Sequence, residues 1–222
     1  MTKAIVSYDG TPTDQDALEF GRLLAQAGVE LVLAYVRHTP ELGHADEHDG
    51  PTLLERGARW LDDVEVDQRV VVSGSTADGL ARLAEEEEAD ILVFGSDYRT
   101  ASGHVAPQSS THKLLEGGRT AVAIAPANYR LHEPFRRVGL LAAPGDDAAL
   151  ETASELAESL SAQVTRDEPF VDVLIVGSRP EAPEGRVMLS AQTQKRVESA
   201  TSPVIVVPRG VGVRFPTTVG LA

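Results

Sequence analysis

The sequence has 222 residues, is 42% hydrophobic and 24% charged, and carries a formal net charge of −14. This acidic balance disfavours nonspecific binding to nucleic acid or anionic membranes, because like charges repel. The sequence contains no cysteine, which excludes disulfides, thiolate metal sites and cysteine nucleophiles. Because it shows neither a signal-peptide pattern nor an apolar run near the roughly 20 residues of a membrane span, we expect a soluble, cytoplasmic protein.

The first part of the chain alternates short apolar runs with amphipathic segments. Five runs predict buried strands, at residues 4–8, 31–36, 69–72, 91–94 and 121–125. Four helices are predicted between them, and Thr13 or Asp14 is the candidate cap of the first. This alternation is typical of a doubly wound α/β fold with a parallel sheet, which binds ligands beyond the carboxyl ends of its strands.

The sequence also contains an internal repeat. Residues 90–126 and 172–208 align without a gap at a constant offset of 82, which matches Gly95-Ser96 with Gly177-Ser178. Nearer the start of each copy, Ala17-Leu18-Glu19 matches Ala149-Leu150-Glu151 at an offset of 132. Because the offset falls from 132 to 82, we expect the second copy to have lost 50 residues, equivalent to the second and third strands and their helices.

A sequence signature accompanies the repeat. In the first copy it runs through Val93-Phe94-Gly95-Ser96, Gly103-His104-Val105, Ser109-Ser110 and residues 121–126, and the second copy repeats it at Gly177-Ser178-Arg179 and residues 203–208. With Asp9-Gly10 after the first strand and Tyr35-Val36 ending the second, this pattern resembles the universal stress protein family. The resemblance covers residues 3–126 in full and residues 136–209 with the deletion.

The resemblance implies a five-stranded parallel sheet in the order 3-2-1-4-5, like that of the adenine-nucleotide alpha-hydrolase fold. We expect a complete domain at residues 1–128 (half one), a truncated domain lacking strands 2 and 3 at residues 136–210 (half two) and a tail at 211–222. Half two keeps too little core to fold alone. It is therefore expected to pair with half one inside the chain, with Ala121–Ala125 against Val204–Val207.

In the family that this sequence resembles, nucleotide-binding members carry a Gly-x2-Gly-x9-Gly-Ser/Thr loop. Its glycines let backbone amides approach phosphates. Here Gly95 and Ser109 match the first glycine and the hydroxyl, whereas Tyr98 and Gln108 replace the other two glycines. The resemblance implies ATP or AMP as ligand, with Mg²⁺ if ATP binds, at Asp9, Val36, Gly95, Ser96, Arg99, Ser109 and Ser110.

Half two matches the loop less well, with Gly177, Pro180, Ser190 and Ala191 at the four positions. The counterpart of Asp9 falls in Leu141-Ala142-Ala143, which contains no acid. We therefore expect any working site to lie in half one. The sequence His44-Ala45-Asp46-Glu47-His48-Asp49 has metal-ligating residue types but no surrounding helical period, and we interpret it as a solvated loop.

Three functions remain open. The resemblance implies a stress-response regulator that responds to ATP or AMP, whereas Tyr98 and Gln108 favour a ligand-free interaction or scaffold module. The third function is a weak nucleotide hydrolase with a metal near Asp9. Because the sequence has no Gly-x-Ser-x-Gly elbow and no intact P-loop, a dedicated enzyme is not expected. A homodimer and further protein partners, which the sequence does not identify, are also compatible with these functions.

Overall fold

The computed structural model describes residues 1–38, 49–132, 134–166, 168 and 170–216. The strands are β1 (Lys3–Ser7), β2 (Glu30–His38), β3 (Val66–Ser73), β4 (Ile91–Gly95), β5 (Ala121–Ala125), β6 (Arg137–Leu141), β7 (Gln163–Thr165), β8 (Val173–Gly177) and β9 (Val204–Val207). The helices are α1 (Asp14–Gln26), α2 (Gly50–Trp60), α3 (Thr76–Glu86), α4 (Ser109–Leu115), α5 (Asp147–Ser159) and α6 (Ala191–Glu198). None of these helices has the length and apolar character needed to cross a membrane.

All of the strands join one sheet, in the order β3-β2-β1-β4-β5-β9-β8-β6-β7. The predicted order 3-2-1-4-5 and parallel pairing of half one are confirmed. β4 and β5 are buried at every residue, which explains their continuous apolar sequences. β3 begins at Val66, three residues before the predicted start, because this edge strand includes exposed polar residues.

The two halves meet where β5 pairs with β9 in the middle of the sheet. This pairing is antiparallel, with Ala123 opposite Ile205, and these two residues are equivalent at the offset of 82. Loop contacts on either side of this pairing also involve residues that are equivalent at the offset of 82. The Val105 N–H donates to the Ala200 carbonyl at 3.1 Å, and the Val187 N–H donates to the Gly118 carbonyl at 2.8 Å. The contacts are therefore reciprocal, as at an interface with local twofold symmetry.

The helices cover both faces of the sheet and form two apolar clusters. α1, α2 and α5 pack on one face, and α3, α4 and α6 pack on the other. Ala123 and Ile205 belong to the first cluster, whereas Ile124 and Val204 belong to the second. Each cluster thus contains residues of both halves, so the halves share their core.

The expectation that half two lacks its second strand is wrong. β7 pairs in parallel with β6, with Arg137 opposite Gln163, as β2 pairs with β1 in half one. The strand has only three residues, Gln-Val-Thr, and none of them is buried, so it lacks the apolar run that marks a buried strand. Within the described residues, half two therefore has the order 2-1-4-5 and lacks a counterpart of β3.

The expected alignment of the first helices is displaced by one residue at their carboxyl ends. The Val29 N–H donates to the Leu24 carbonyl after α1, and the Ala162 N–H donates to the Ala157 carbonyl after α5. These equivalent bonds are 133 residues apart, not 132.

Two irregular segments bind to the first helix of each half. The buried Asp16 carboxylate of α1 accepts the Asn128 N–H at 2.9 Å and pairs with Arg130 at 3.2 Å, which holds the linker. In the tail, which has neither helix nor strand from Gly210 to Pro216, the Val213 N–H donates to the Thr152 hydroxyl of α5 at 2.9 Å. Both segments are therefore ordered parts of the structure.

The shared core predicts a single unfolding transition that responds to the junction. Ile205 is fully buried, so Ile205→Ala should lower the free energy of unfolding by about 2–5 kcal/mol. The control Leu150→Ala, at a residue that is 39% exposed, should change it by less than about 0.5 kcal/mol. Urea denaturation followed by circular dichroism measures both. Two separate transitions, only one of them shifted in Ile205→Ala, would contradict a shared core.

Candidate functional site

A crevice opens in half one where β1 ends before its neighbours. β1 pairs with β2 as far as Ser7 and Ala34, yet β2 continues to His38. On the other side, β1 pairs with β4 only to Val93, and β4 continues to Gly95. Such a point between diverging strands is where ligands bind in open parallel sheets. Asp9, Val36, Gly95 and Ser96 all lie at this end of the sheet.

Asp14 holds the loop between β1 and α1. Its buried carboxylate accepts the N–H groups of Asp9 at 2.9 Å and of Thr11 at 2.8 Å. Thr13 occupies the N-cap position of α1, but its side chain makes no capping hydrogen bond. The prediction that Thr13 or Asp14 caps α1 is confirmed for the position of Thr13, although the cap has no side-chain hydrogen bond, and Asp14 binds the loop instead.

Asp9 has an unusual protonation equilibrium. Its surroundings bury the carboxyl enough to raise its pKa from the ordinary 3.8 to about 6, although part of the residue remains exposed. The nearby Asp14 carboxylate also raises this pKa, and His38 at the end of β2 lowers it. Burial likewise raises the pKa of Asp14, against the hydrogen bonds that it accepts from the loop. The crevice thus contains two carboxyl groups that resist ionisation.

Two basic residues of the crevice, His38 and Arg56, were not predicted from the sequence. His38 lies at the last position of β2, and its Nε2 is 3.4 Å from the Thr76 hydroxyl. Arg56 of α2 packs over Gly10, where an added Cβ would collide with its guanidinium group. Gly10 has a φ of +78°, which favours glycine. Only the contact between α2 and the loop brings Arg56 here, so no local motif marks it.

The first glycine of the predicted loop is needed for packing. A Cβ on Gly95 would collide with the carbonyl oxygen of Thr13, so the β1–α1 loop approaches β4 as closely as backbone can. In half two, a Cβ on the equivalent Gly177 would collide with the Asp146 carboxylate. Close approach of the preceding loop therefore explains the glycine in both halves without a ligand.

Ser96 uses its hydroxyl inside the protein. The fully buried hydroxyl donates to the Ala125 carbonyl at 2.7 Å and accepts the Ala106 N–H at 3.0 Å. The equivalent Ser178 donates to the Val207 carbonyl at 2.7 Å and accepts the Met188 N–H at 3.2 Å. These equivalent bonds close the same loop in both halves, so Ser96 has a structural role.

The residues that replace the second and third glycines make specific contacts. The Gln108 side-chain amide lies 3.3 Å from both the Gly95 and Ser96 carbonyl oxygens. Tyr98 is 70% exposed, and its hydroxyl accepts a hydrogen bond from Arg99 Nε at 2.7 Å. The Arg99 guanidinium also lies 4.9 Å from the centre of the Tyr98 ring. Gln108 and Arg99 are thus bound by neighbouring groups of the loop.

The remaining predicted residues differ in accessibility. Ser109 and Ser110 begin α4, where Ser109 is exposed and Ser110 is half-buried. Val36 is buried against α3, and a Cβ on Gly79 would lie 2.9 Å from its Cγ1. Its backbone, however, lies beyond the last residue of β2 that pairs with β1. The structure therefore places the backbone of Val36 beside the crevice and its side chain in the core.

Half two has a cavity of about 510 Å³ at the equivalent end of its sheet. Its lining includes Gly177, Ser178 and Ser190, and Ala142 and Ala143 lie near the position of Asp9. The sequence from His44 to His48 lies outside the described residues. Within the described part of the chain, histidines and acids do not form a group of three that could hold a metal ion.

Comparisons with known proteins agree with the geometry. A family model described as the universal stress protein family matches residues 1–126. A universal stress protein from Archaeoglobus fulgidus superposes with a TM-score of 0.69 and 15% identity, covering 94% of this chain and 98% of that one. A putative universal stress protein from Pseudomonas aeruginosa gives a TM-score of 0.67 and 12% identity, covering 93% of each chain. No curated protein matches the sequence.

The raised pKa of Asp9 predicts a pH dependence with a defined sign. Because the folded-state pKa of about 6 exceeds the usual 3.8, protonated Asp9 stabilises the fold below pH 3.8, and this contribution is lost as the pH rises through 6. Relative to Asp9→Asn, the wild type should lose stability over that range. Carboxyl NMR titration should show Asp9 near 6, whereas the Lys113 ammonium holds the pKa of Asp78 below its usual range. An Asp9 titration no higher than that of Asp78 would contradict the account.

Proposed function

Because the chain belongs to the universal stress protein family, we propose that it is a stress-response regulator that acts through its protein surface. In this proposal the nucleotide site of half one is degraded, and its loop no longer grips phosphate. The chain works as an interaction module and is not an enzyme.

The contacts of Gln108 carry this proposal. A phosphate site in a loop of this kind needs backbone N–H groups that converge on one point. Here the Gln108 side chain stands in place of a glycine, and its amide is 3.3 Å from the carbonyl oxygens of Gly95 and Ser96. The side chain thus lies against the loop backbone, and we propose that it takes space that a phosphate would need.

Half two is proposed to be a truncated second copy that serves as the built-in partner of half one. The reciprocal bonds of Val105 and Val187, on Ala200 and Gly118, support this role. Two related domains that pair about a twofold axis make each contact twice, once from each domain. The likeness in fold to a solved universal stress protein, over 94% of this chain and 98% of that one, also supports this arrangement.

A second candidate function is weak binding of AMP or ATP in half one. The open edge of β2 past Ala34 supports it, because the Val36 backbone could meet an adenine there. Asp9 could lie near a ribose or, for ATP, near Mg²⁺. This candidate would use the sugar and base contacts of the crevice and little of the phosphate loop. A weak hydrolase would need a metal at Asp9 in addition.

A gain-of-function variant tests the proposal. The melting temperature of the wild type should not change with millimolar Mg-ATP, whereas Tyr98→Gly/Gln108→Gly should become stabilised. Linkage gives about 2.7 kcal/mol at a hundredfold excess over the dissociation constant. The control Ser190→Gly, at the half-two position equivalent to Gln108, should show no response to Mg-ATP.

An upward shift in the wild type that disappears in Asp9→Ala would contradict the proposal and favour the second candidate. Turnover of ATP by the wild type, lost in the same variant, would favour the hydrolase.

A further inference from the structure

Half two leaves uncovered a part of the sheet that half one covers with α3. In half one, α3 buries Leu80 and Leu83 in the apolar cluster that contains Ile5 and Leu92. Within the described residues, half two has no helix between β7 and β8. A sheet face that lacks its helix exposes apolar surface unless something else packs on it.

Hydrogen bonds identify the equivalent residues of half two. The Lys3 N–H donates to the Asp90 carboxylate at 2.9 Å, and the Arg137 N–H donates to the equivalent Asp172 carboxylate at 2.8 Å. Two residues further along each strand, Ile5 pairs with Leu92 and Gly139 pairs with Leu174. Gly139 and Leu174 therefore take the places of Ile5 and Leu92.

These equivalent positions form a cavity. Ile5 and Leu92 are almost completely buried, whereas Leu174 is only half-buried, as is the neighbouring Leu141. Gly139 provides no side chain, and a Cβ there would lie 3.0–3.1 Å from the side chains of Val171 and Leu174. A cavity of about 190 Å³ results, lined by apolar residues that include Gly139, Leu141 and Leu174 and by polar residues that include Thr165, Glu168 and Ser202. Its two half-buried leucines can pack against an apolar side chain from outside.

The cavity lining contains one basic residue, Arg196 of α6, and one acid, Glu168, whose carboxylate already pairs with Arg137 at 3.1 Å. In half one, Lys113 of α4 forms an ion pair with Asp78 in the first turn of α3, at 2.7 Å. The equivalent residue in half two is Lys195 of α6, and the adjacent Arg196 lines the cavity. Neither forms an ion pair with any described residue. These two adjacent cations can therefore pair with acidic groups of a partner.

We infer that the surface formed by Gly139, Leu141, Leu174, Lys195 and Arg196 is a docking site for an amphipathic helix of a partner protein. That helix would have an apolar stripe for the cavity and an acidic first turn for the two cations. α3 presents this chemistry to half one, with Leu80 and Leu83 behind Asp78. The inference rests on the proposed function, since it specifies the partner of a module that acts through its surface.

The proposed helix belongs to another protein and not to the α3 of a second copy of this chain. A second copy could offer its own α3 only by removing Leu80 and Leu83 from its own core, where both are buried. That removal would expose two buried leucine side chains to water, which is unfavourable. A free amphipathic segment loses no core packing when it binds, although forming the helix is itself unfavourable.

The probe is an acetylated peptide with the sequence of residues 75–88, titrated into the intact ¹⁵N-labelled chain. We expect saturable shifts at Gly139, Leu174 and residues of α6. Lys195→Glu should weaken binding about fivefold or more, since an attractive exposed charge pair becomes repulsive. Lys113→Glu changes the net charge equally in half one and should leave the affinity unchanged. A peptide with Leu80→Asp and Leu83→Asp should not bind.

Three results would overturn the docking site: no binding of the peptide, equal weakening in Lys195→Glu and Lys113→Glu, or shifts confined to half one. A dimer of the chain that dissociates in Lys195→Glu would overturn it in favour of self-association. Adding Mg-ATP to the same wild-type sample separates the two proposals. Stabilisation by ATP contradicts the proposed function in half one, whereas failure of the peptide to bind contradicts only the docking site in half two.

Discussion

The antiparallel pairing of β5 with β9 is the interaction on which the rest of the structure depends. Without β9, the buried strand Ala121–Ala125 would form an open edge, and open apolar edges invite aggregation. The register is centred on Ala123 and Ile205, which also brings Val105 and Val187 to their reciprocal partners. One contact thereby extends the sheet through both halves and completes an apolar cluster on each face.

This junction explains why half two can be so short. Half two contains the strand that pairs with β5 and the strands that support it, and it has no counterpart of β3 among the described residues. Gly139 stands where Ile5 stands in half one, and the Val171 side chain packs so closely there that a Cβ would lie 3.0 Å from it. The loops after β4 and β8 are alike in both halves. Ser96 and Ser178 make equivalent internal hydrogen bonds, so each loop is held in shape by its own contacts.

The sequence predicts the features that depend on local patterns. The strands of half one follow from apolar runs and their order from the family resemblance, and the offset of 82 aligns β4 and β5 with β8 and β9. β7 could not be predicted, because three polar or half-buried residues form a strand only through pairing with β6. Arg56 and the role of Asp14 depend on contacts across the β1–α1 loop, and the bonds of Gln108 depend on a side-chain conformation. Such contacts leave no periodic trace in the sequence.

We propose that half two supplies the partner surface that half one needs. Light scattering of residues 1–128 alone, over a range of concentrations, shows whether this fragment can do without that surface. We expect a dimer or larger species, because β5 and the Val105 N–H lose their partners in half two and a second fragment can replace them. A fragment that stays monomeric, with stability equal to that of the intact chain, would show that half one does not need half two.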